Sequence, residues 1–264
     1  MSLTIRTAVP EKDAAGVLDI YGPFVSNTPT AFEIVPPTHA EMLERMTYTL
    51  AKYPFFVCVD ASDHVLGYSY ASMHRVRPAY NWSVEISIYV APSCHRRGLG
   101  MALCTTLLKC LQLLGYRTAI SGVTLPNAAS IGLHTRLGFR MVRFISSICS
   151  LFSLCPSVFY DLIDCLSVTL SIWSSCLRNR QVGMYHNIGY KLGRWHDSAW
   201  LQRDLYQPLR AASDPVQDSG ADDATAGVRA EHPPSPAPAP ARLFSTLAAD
   251  ELAACIALGQ TWLR

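Results

Sequence analysis

Glu85 is the only charged residue in the run "SVEISIYV", and shortly after it the chain reads "CHRRGLGMAL", Cys94 to Leu103. A carboxylate on an apolar strand is a candidate general base, because amine chemistry at neutral pH needs a group to take a proton. A Gly-x-Gly turn flanked by Arg96 and Arg97, opening an apolar helix, is a candidate anion cradle. Backbone N–H groups and the positive end of the helix dipole meet there. Gly98 and Gly100 carry no side chain to obstruct a phosphate. The spacing is not that of a P-loop, since no Lys-Ser/Thr follows, and it lacks the third glycine of the dinucleotide fingerprint. On its own the loop also suits a plain helix start with solvated arginines, and Glu85 also suits the exposed face of an edge strand.

The elements around these residues follow from pattern. Val84, Ile86, Ile88 and Val90 alternate with Glu85, Ser87 and Tyr89, the period of a strand. Leu103, Leu107, Cys110, Leu111 and Leu114 then recur on one helical face. Before them, residues 3–8 read as a strand and "VPEKDAAGVLDIY" as a helix with Pro10 in its first turn. "THAEMLERMTYTLAKY" reads as a helix opened by a Thr38/Glu41 capping box, and "FFVCVDASDHVLGYSYASM" as a hairpin. After them come the strand "YRTAISGV", the helix "NAASIGLHTRL" capped by Asn127, and a strand starting at "GFRMV". This order predicts an α/β fold, a mixed central sheet with helices on both faces.

Composition narrows the function. The net charge of +2 argues against a nucleic-acid binder. The nine cysteines form no CxxC or Cys/His spacing, so no metal site is expected. The first residues read as strand and helix rather than a secretory leader, which points to a cytoplasmic protein with reduced thiols.

"HRRGLG", with "RPAYNWSVEISIYVAPSCHRRGLGMAL", "LPNAASIGLHTRLGF" and "GYKLGRWHDSAWLQRDL", resembles the GNAT superfamily of N-acetyltransferases, and within it the phosphinothricin acetyltransferase branch. His95 stands where the superfamily usually has Gln or Arg. The resemblance implies acetyl-CoA as cosubstrate, with its pyrophosphate on Arg96, Arg97, Gly98, Leu99, Gly100 and Met101. It implies that the pantetheine arm lies along the backbone of Ile88, Tyr89 and Val90, with Asn127 as a further contact. It implies Glu85 as general base, acting directly or through water, and His134 as proton donor to the leaving thiolate. Phe32, Arg77 and Tyr80 match positions that line the acceptor site; an arginine there suits a carboxylate or phosphinate. The acceptor implied is a small amino acid or analogue with a free amine, attacked directly on the thioester. A homodimer is implied as well.

Two stretches depart from that pattern. Val142 to Gln181 contains four of the nine cysteines and no Lys, Glu or Gly, and joining Met141 to Val182 restores a continuous family-like strand. Asp161, Asp164 and Pro156 break any clean membrane span. A valine codon begins GT and glutamine can be CAG, so the segment is compatible with a retained intron; a genuine insertion is the other reading. If it disturbs the site, the product is a non-catalytic or misfolded CoA-binding chain, with membrane association as a further alternative. The domain therefore runs over residues 1–208, interrupted at 142–181, with a tail at 209–264. In that tail a Pro/Ala-rich stretch should stay extended, and "FSTLAADELAACIALGQTWL" could form a short amphipathic helix.

Overall fold

The computed structural model describes residues 2–141, 183–206 and 241–263. The interruption at 142–181 and the Pro/Ala-rich part of the tail lie outside the described residues. Four antiparallel strands run in succession: β1 (Thr4–Thr7), β2 (Phe55–Val59), β3 (Val65–Met73) and β4 (Ser83–Val90). β5 (Thr118–Thr124) joins β4 in parallel, and β8 (Arg194–Asp204) pairs antiparallel with β5. The outer edge of β8 carries both β6 (Arg140–Met141) and β7 (Met184–Lys191). Sequence periodicity does not mark β7 or β8, because β7 is largely exposed and shows no buried alternation.

Helices cover both faces. α1 (Pro10–Asn27) and α2 (His39–Leu50) bury Val17, Ile20 and Met46 against Phe55, Val57 and Tyr68. The α2 capping box forms as expected: Glu41 N donates to Thr38 Oγ1 at 3.2 Å and Thr38 N to Glu41 Oε2 at 2.7 Å. α1 runs six residues beyond its expected end and passes through Pro23. Burial of the far end of its apolar face, including Val25, offsets the backbone bond that proline cannot donate.

On the other face α3 (Leu99–Leu113) sets Leu103, Leu107 and Leu111 on the sheet, and α4 (Ala128–Arg136) lies beyond it. α3 is apolar on almost every side, and a helix of that kind needs cover all round. α5 (Ala249–Gln260) supplies it, so the helix foreseen near the end of the tail has a defined seat. It lies antiparallel on α3. The Cys255 and Cys110 thiols hydrogen-bond to each other. Gly259 sits against Ala102 and Thr106, where any side chain would collide. At the near end of α5, Arg242 donates to Leu113 O at 2.7 Å and Glu251 Oε1 at 3.1 Å.

β6 and β7 lie end to end on one strand edge. Met141 faces Leu201 and Met184 faces Ala199, so the two methionines stand about two strand steps, roughly 7 Å, apart. Removing 142–181 would bring the two pairing frames within one residue of each other, the offset of a single β-bulge. The shortened chain is therefore expected to fold with one continuous edge strand, melting in a single transition at or above the full-length Tm. Loss of cooperative unfolding in the shortened chain would show that 142–181 is structurally required.

Candidate active site

The site starts where two strands part. β4 and β5 are paired only at Ser83–Thr118, Val84–Ala119 and Glu85–Ile120. β4 continues to Val90 on its β3 partner, while β5 continues to Thr124 on β8. Beyond Glu85 the two diverge, and the β5-facing edge of β4 has no strand to pair with among the described residues. Buried backbone groups need partners, so this opening suits an extended polar ligand.

Glu85 stands at its vertex, half-buried. The structure gives it a partner that strand pattern alone did not: His74 Nδ1 lies 2.8 Å from Glu85 Oε1. The signal was present but needed the register. Ser72 pairs with Glu85, and His74, two residues on, shares the same face as a diagonal neighbour. The His74 ring meets Tyr80 edge-on at 5.7 Å and Trp200 at 6.5 Å. Tyr80 is thus brought to the base. Arg77 lies exposed on the same loop.

Two adjoining cavities line the opening. The larger, about 410 Å³, is bounded by Tyr21, Thr30, Phe32, Tyr89 and Thr124 among others. Phe32 lies across Gly189, and Lys191 Nζ donates to Ala31 O at 2.6 Å, so β7 fixes the loop that carries Phe32. The smaller is lined by Ile88, Tyr89, Asn127, Ser130 and His134. Asn127 Oδ1 accepts from Ser130 N at 3.0 Å and caps α4, which leaves its amide N–H groups for a ligand. The Tyr89 ring is packed with Tyr21 and Phe24 on the α1 side.

At the far end, His95 Nε2 lies 3.1 Å from Val90 O and closes the turn into α3. Arg96 and Gly98 both have left-handed φ, 62° and 85°, an arrangement that turns successive N–H groups toward one side. Leu99 is buried in the core, so only its backbone could meet a ligand; Met101 is half-buried. Gly100 faces Leu133 of α4 across a narrow gap. Gly98 differs from expectation. The space its side chain would occupy is taken by the Trp262 carbonyl just past α5, so that position is glycine for its φ and for this contact as well.

These features match known proteins. The profile of the family described as "Acetyltransferase (GNAT) domain" matches residues 5–152. The chain belongs to that family. It is 31% identical over 201 residues to a phosphinothricin N-acetyltransferase of Streptomyces coelicolor, covering 74% of this chain and 92% of that one. It is 29% identical to an L-methionine sulfoximine/L-methionine sulfone acetyltransferase of Pseudomonas aeruginosa, covering 80% and 99%. A GNAT superfamily phosphinothricin acetyltransferase from Sinorhizobium meliloti, solved in complex with AcCoA, superposes with a TM-score of 0.60 at 29% identity over 80% of this chain and 95% of that one. The fold is therefore the GNAT acyltransferase fold, and the chain is an acetyltransferase by membership.

Within this GNAT domain His134 is chemically unusual. It is buried on α4 with Phe139 edge-on at 5.0 Å. Nδ1 lies 2.8 Å from Ser130 O, so that nitrogen carries the proton, and buried Nε2 has no hydrogen-bond partner among the described residues. Burial pushes the imidazole below its ordinary 6.5 despite the Ser130 carbonyl, which favours the charged form. The unfolded chain therefore takes up this proton at a higher pH than the folded one. Its contribution to stability is present above about pH 6.5 and is lost as pH falls through the lower folded value. Urea midpoints should drop between about pH 7.5 and 5.5, and His134→Gln should reduce that drop. An unchanged pH dependence in the variant would place His134 in a solvated setting.

Proposed function

We propose that this chain transfers the acetyl group of acetyl-CoA to the free amine of a small amino-acid acceptor of the phosphinothricin or methionine sulfoximine kind. The observation that carries the reading is the opening between β4 and β5 with Glu85 at its vertex. Acetyl-CoA fits what surrounds it: an unpaired strand edge for an amide-bearing arm, and the turn at Arg96–Gly98 for a pyrophosphate. When bound, it supplies a thioester carbonyl that an amine can attack. Ile88, Tyr89 and Val90 would hold the arm by backbone; Arg96, Arg97 and the N–H groups of Gly98 to Met101 would hold the phosphates.

Glu85 takes the proton that makes the acceptor amine nucleophilic. His134, neutral with the lone pair on Nε2, is set to receive a proton and hold it beside the cavity, and it can act as a donor only after doing so. That refines the donor role implied by resemblance. Phe32 and Tyr80 flank the acceptor, and Arg77 offers a cation for its acidic group. The exposed apolar side chains Ile188, Tyr190, Leu192 and Trp195 on the β7–β8 hairpin support a homodimer. A cytoplasmic setting fits the reduced thiols; among the described residues no helix is long and apolar enough to cross a membrane.

Purified protein with acetyl-CoA and phosphinothricin or methionine sulfoximine should release free thiol in step with acetylated product. Glu85→Gln should lower kcat by about 10²–10⁴-fold with acetyl-CoA binding nearly intact. A variant within a few-fold of the parent at every pH would remove Glu85 from the reaction. Gly100→Val should weaken acetyl-CoA binding, measured by calorimetry, more than it lowers Tm, because its side chain would fill the gap to Leu133. Unchanged affinity in the folded variant would make the loop an ordinary helix start.

A further inference from the structure

We propose that His74 is a positioning residue for Glu85, holding one carboxylate oxygen so that the other faces the acceptor amine. The inference rests on the reading of Glu85 as the base. Glu85 is a three-torsion side chain with 32% of its surface exposed, and left alone it would sample several rotamers. The contact at Oε1 removes that freedom. A carboxylate can only accept, so Nδ1 carries the proton of this bond. The ring itself is held: its side chain is 13% exposed, between the edges of Tyr80 and Trp200. The outer end of the Trp200 ring in turn lies beside Gly122 of β5, across the opening from β4. His74 thus ties the base to side chains on both the acceptor loop and β8, the neighbour of β5.

The proton step is simple. With Oε1 occupied, Oε2 takes the proton from the acceptor ammonium. The N–H bond breaks, an O–H bond forms on Glu85, and the electron pair stays on nitrogen for attack. A base displaced by about 1 Å can cost on the order of 10²-fold in rate, so the loss should appear in kcat rather than in cofactor binding.

The test uses the full-length chain with acetyl-CoA and whichever of phosphinothricin and methionine sulfoximine turns over. His74→Phe keeps a ring but no donor and is expected to lower kcat about 10-fold or more, leaving the KM for acetyl-CoA within about twofold. His74→Asn returns a donor near the Nδ1 position and should recover most of the loss. On a Glu85→Gln background, His74→Phe should change kcat little, because the two residues act as a unit. Nitrogen NMR of the imidazoles gives a readout independent of turnover: His74 should be protonated at Nδ1 and should shift in Glu85→Gln. Parent-like kcat in His74→Phe beside an impaired Glu85→Gln would overturn the role of His74 and leave the base in place. Parent-like kcat in Glu85→Gln would overturn the base and this inference with it. An Nδ1 that carries no proton, or a His74 signal indifferent to Glu85→Gln, would show that the bond is not formed in solution.

Discussion

Three residue pairs between β4 and β5 hold the rest of the arrangement in place. β5 follows β8 along its whole length and β4 follows β3, and on their facing edges the two share only the short stretch that ends at Glu85. Past that point a row of backbone groups in the middle of the sheet lacks a strand partner among the described residues. Leaving such groups buried and unpaired costs about 1–3 kcal/mol each, so the opening must be filled by water or by a ligand with amides of its own. The vertex holds the carboxylate, the far end leads into the glycine turn, and α4 closes the side with Asn127 and His134. In the proposed function, this one interruption in strand pairing sets where an extended cofactor would lie and which group would meet its reactive end.

α3 links this opening to the remainder of the molecule. Its inner side packs on the sheet, and its first residues complete the glycine turn. Its outer side is built from small residues, Ala102, Thr106 and Cys110, which admit α5 closely. Because the chain after α5 brings the Trp262 carbonyl against Gly98, the seat of α5 and the shape of the turn are mechanically coupled.

Much of this was legible in the sequence. Alternation marked β4, helical spacing marked α3, and the Thr38 and Asn127 caps set the starts of α2 and α4 where the structure has them. These signals are local. What escaped depends on register and long-range packing. His74 fell outside every element read from pattern, and its tie to Glu85 exists only once Ser72 is paired with that glutamate. The exposed β7 had no buried face to betray it. α5 had no visible job, although the lack of a polar side on α3 was a sign that something covers it. Gly98 was read as clearance for a phosphate, whereas its side-chain position belongs to a carbonyl far along the chain.

The central claim is that the parted strands receive the cofactor arm, and amide hydrogen exchange tests it most directly. Exchange is followed in the full-length protein with and without saturating acetyl-CoA. The account predicts new protection in residues 86–90 of β4 and in the turn at 96–101, with little change in β1 and β2. Protection confined to other segments, or none in β4 at saturation, would contradict it.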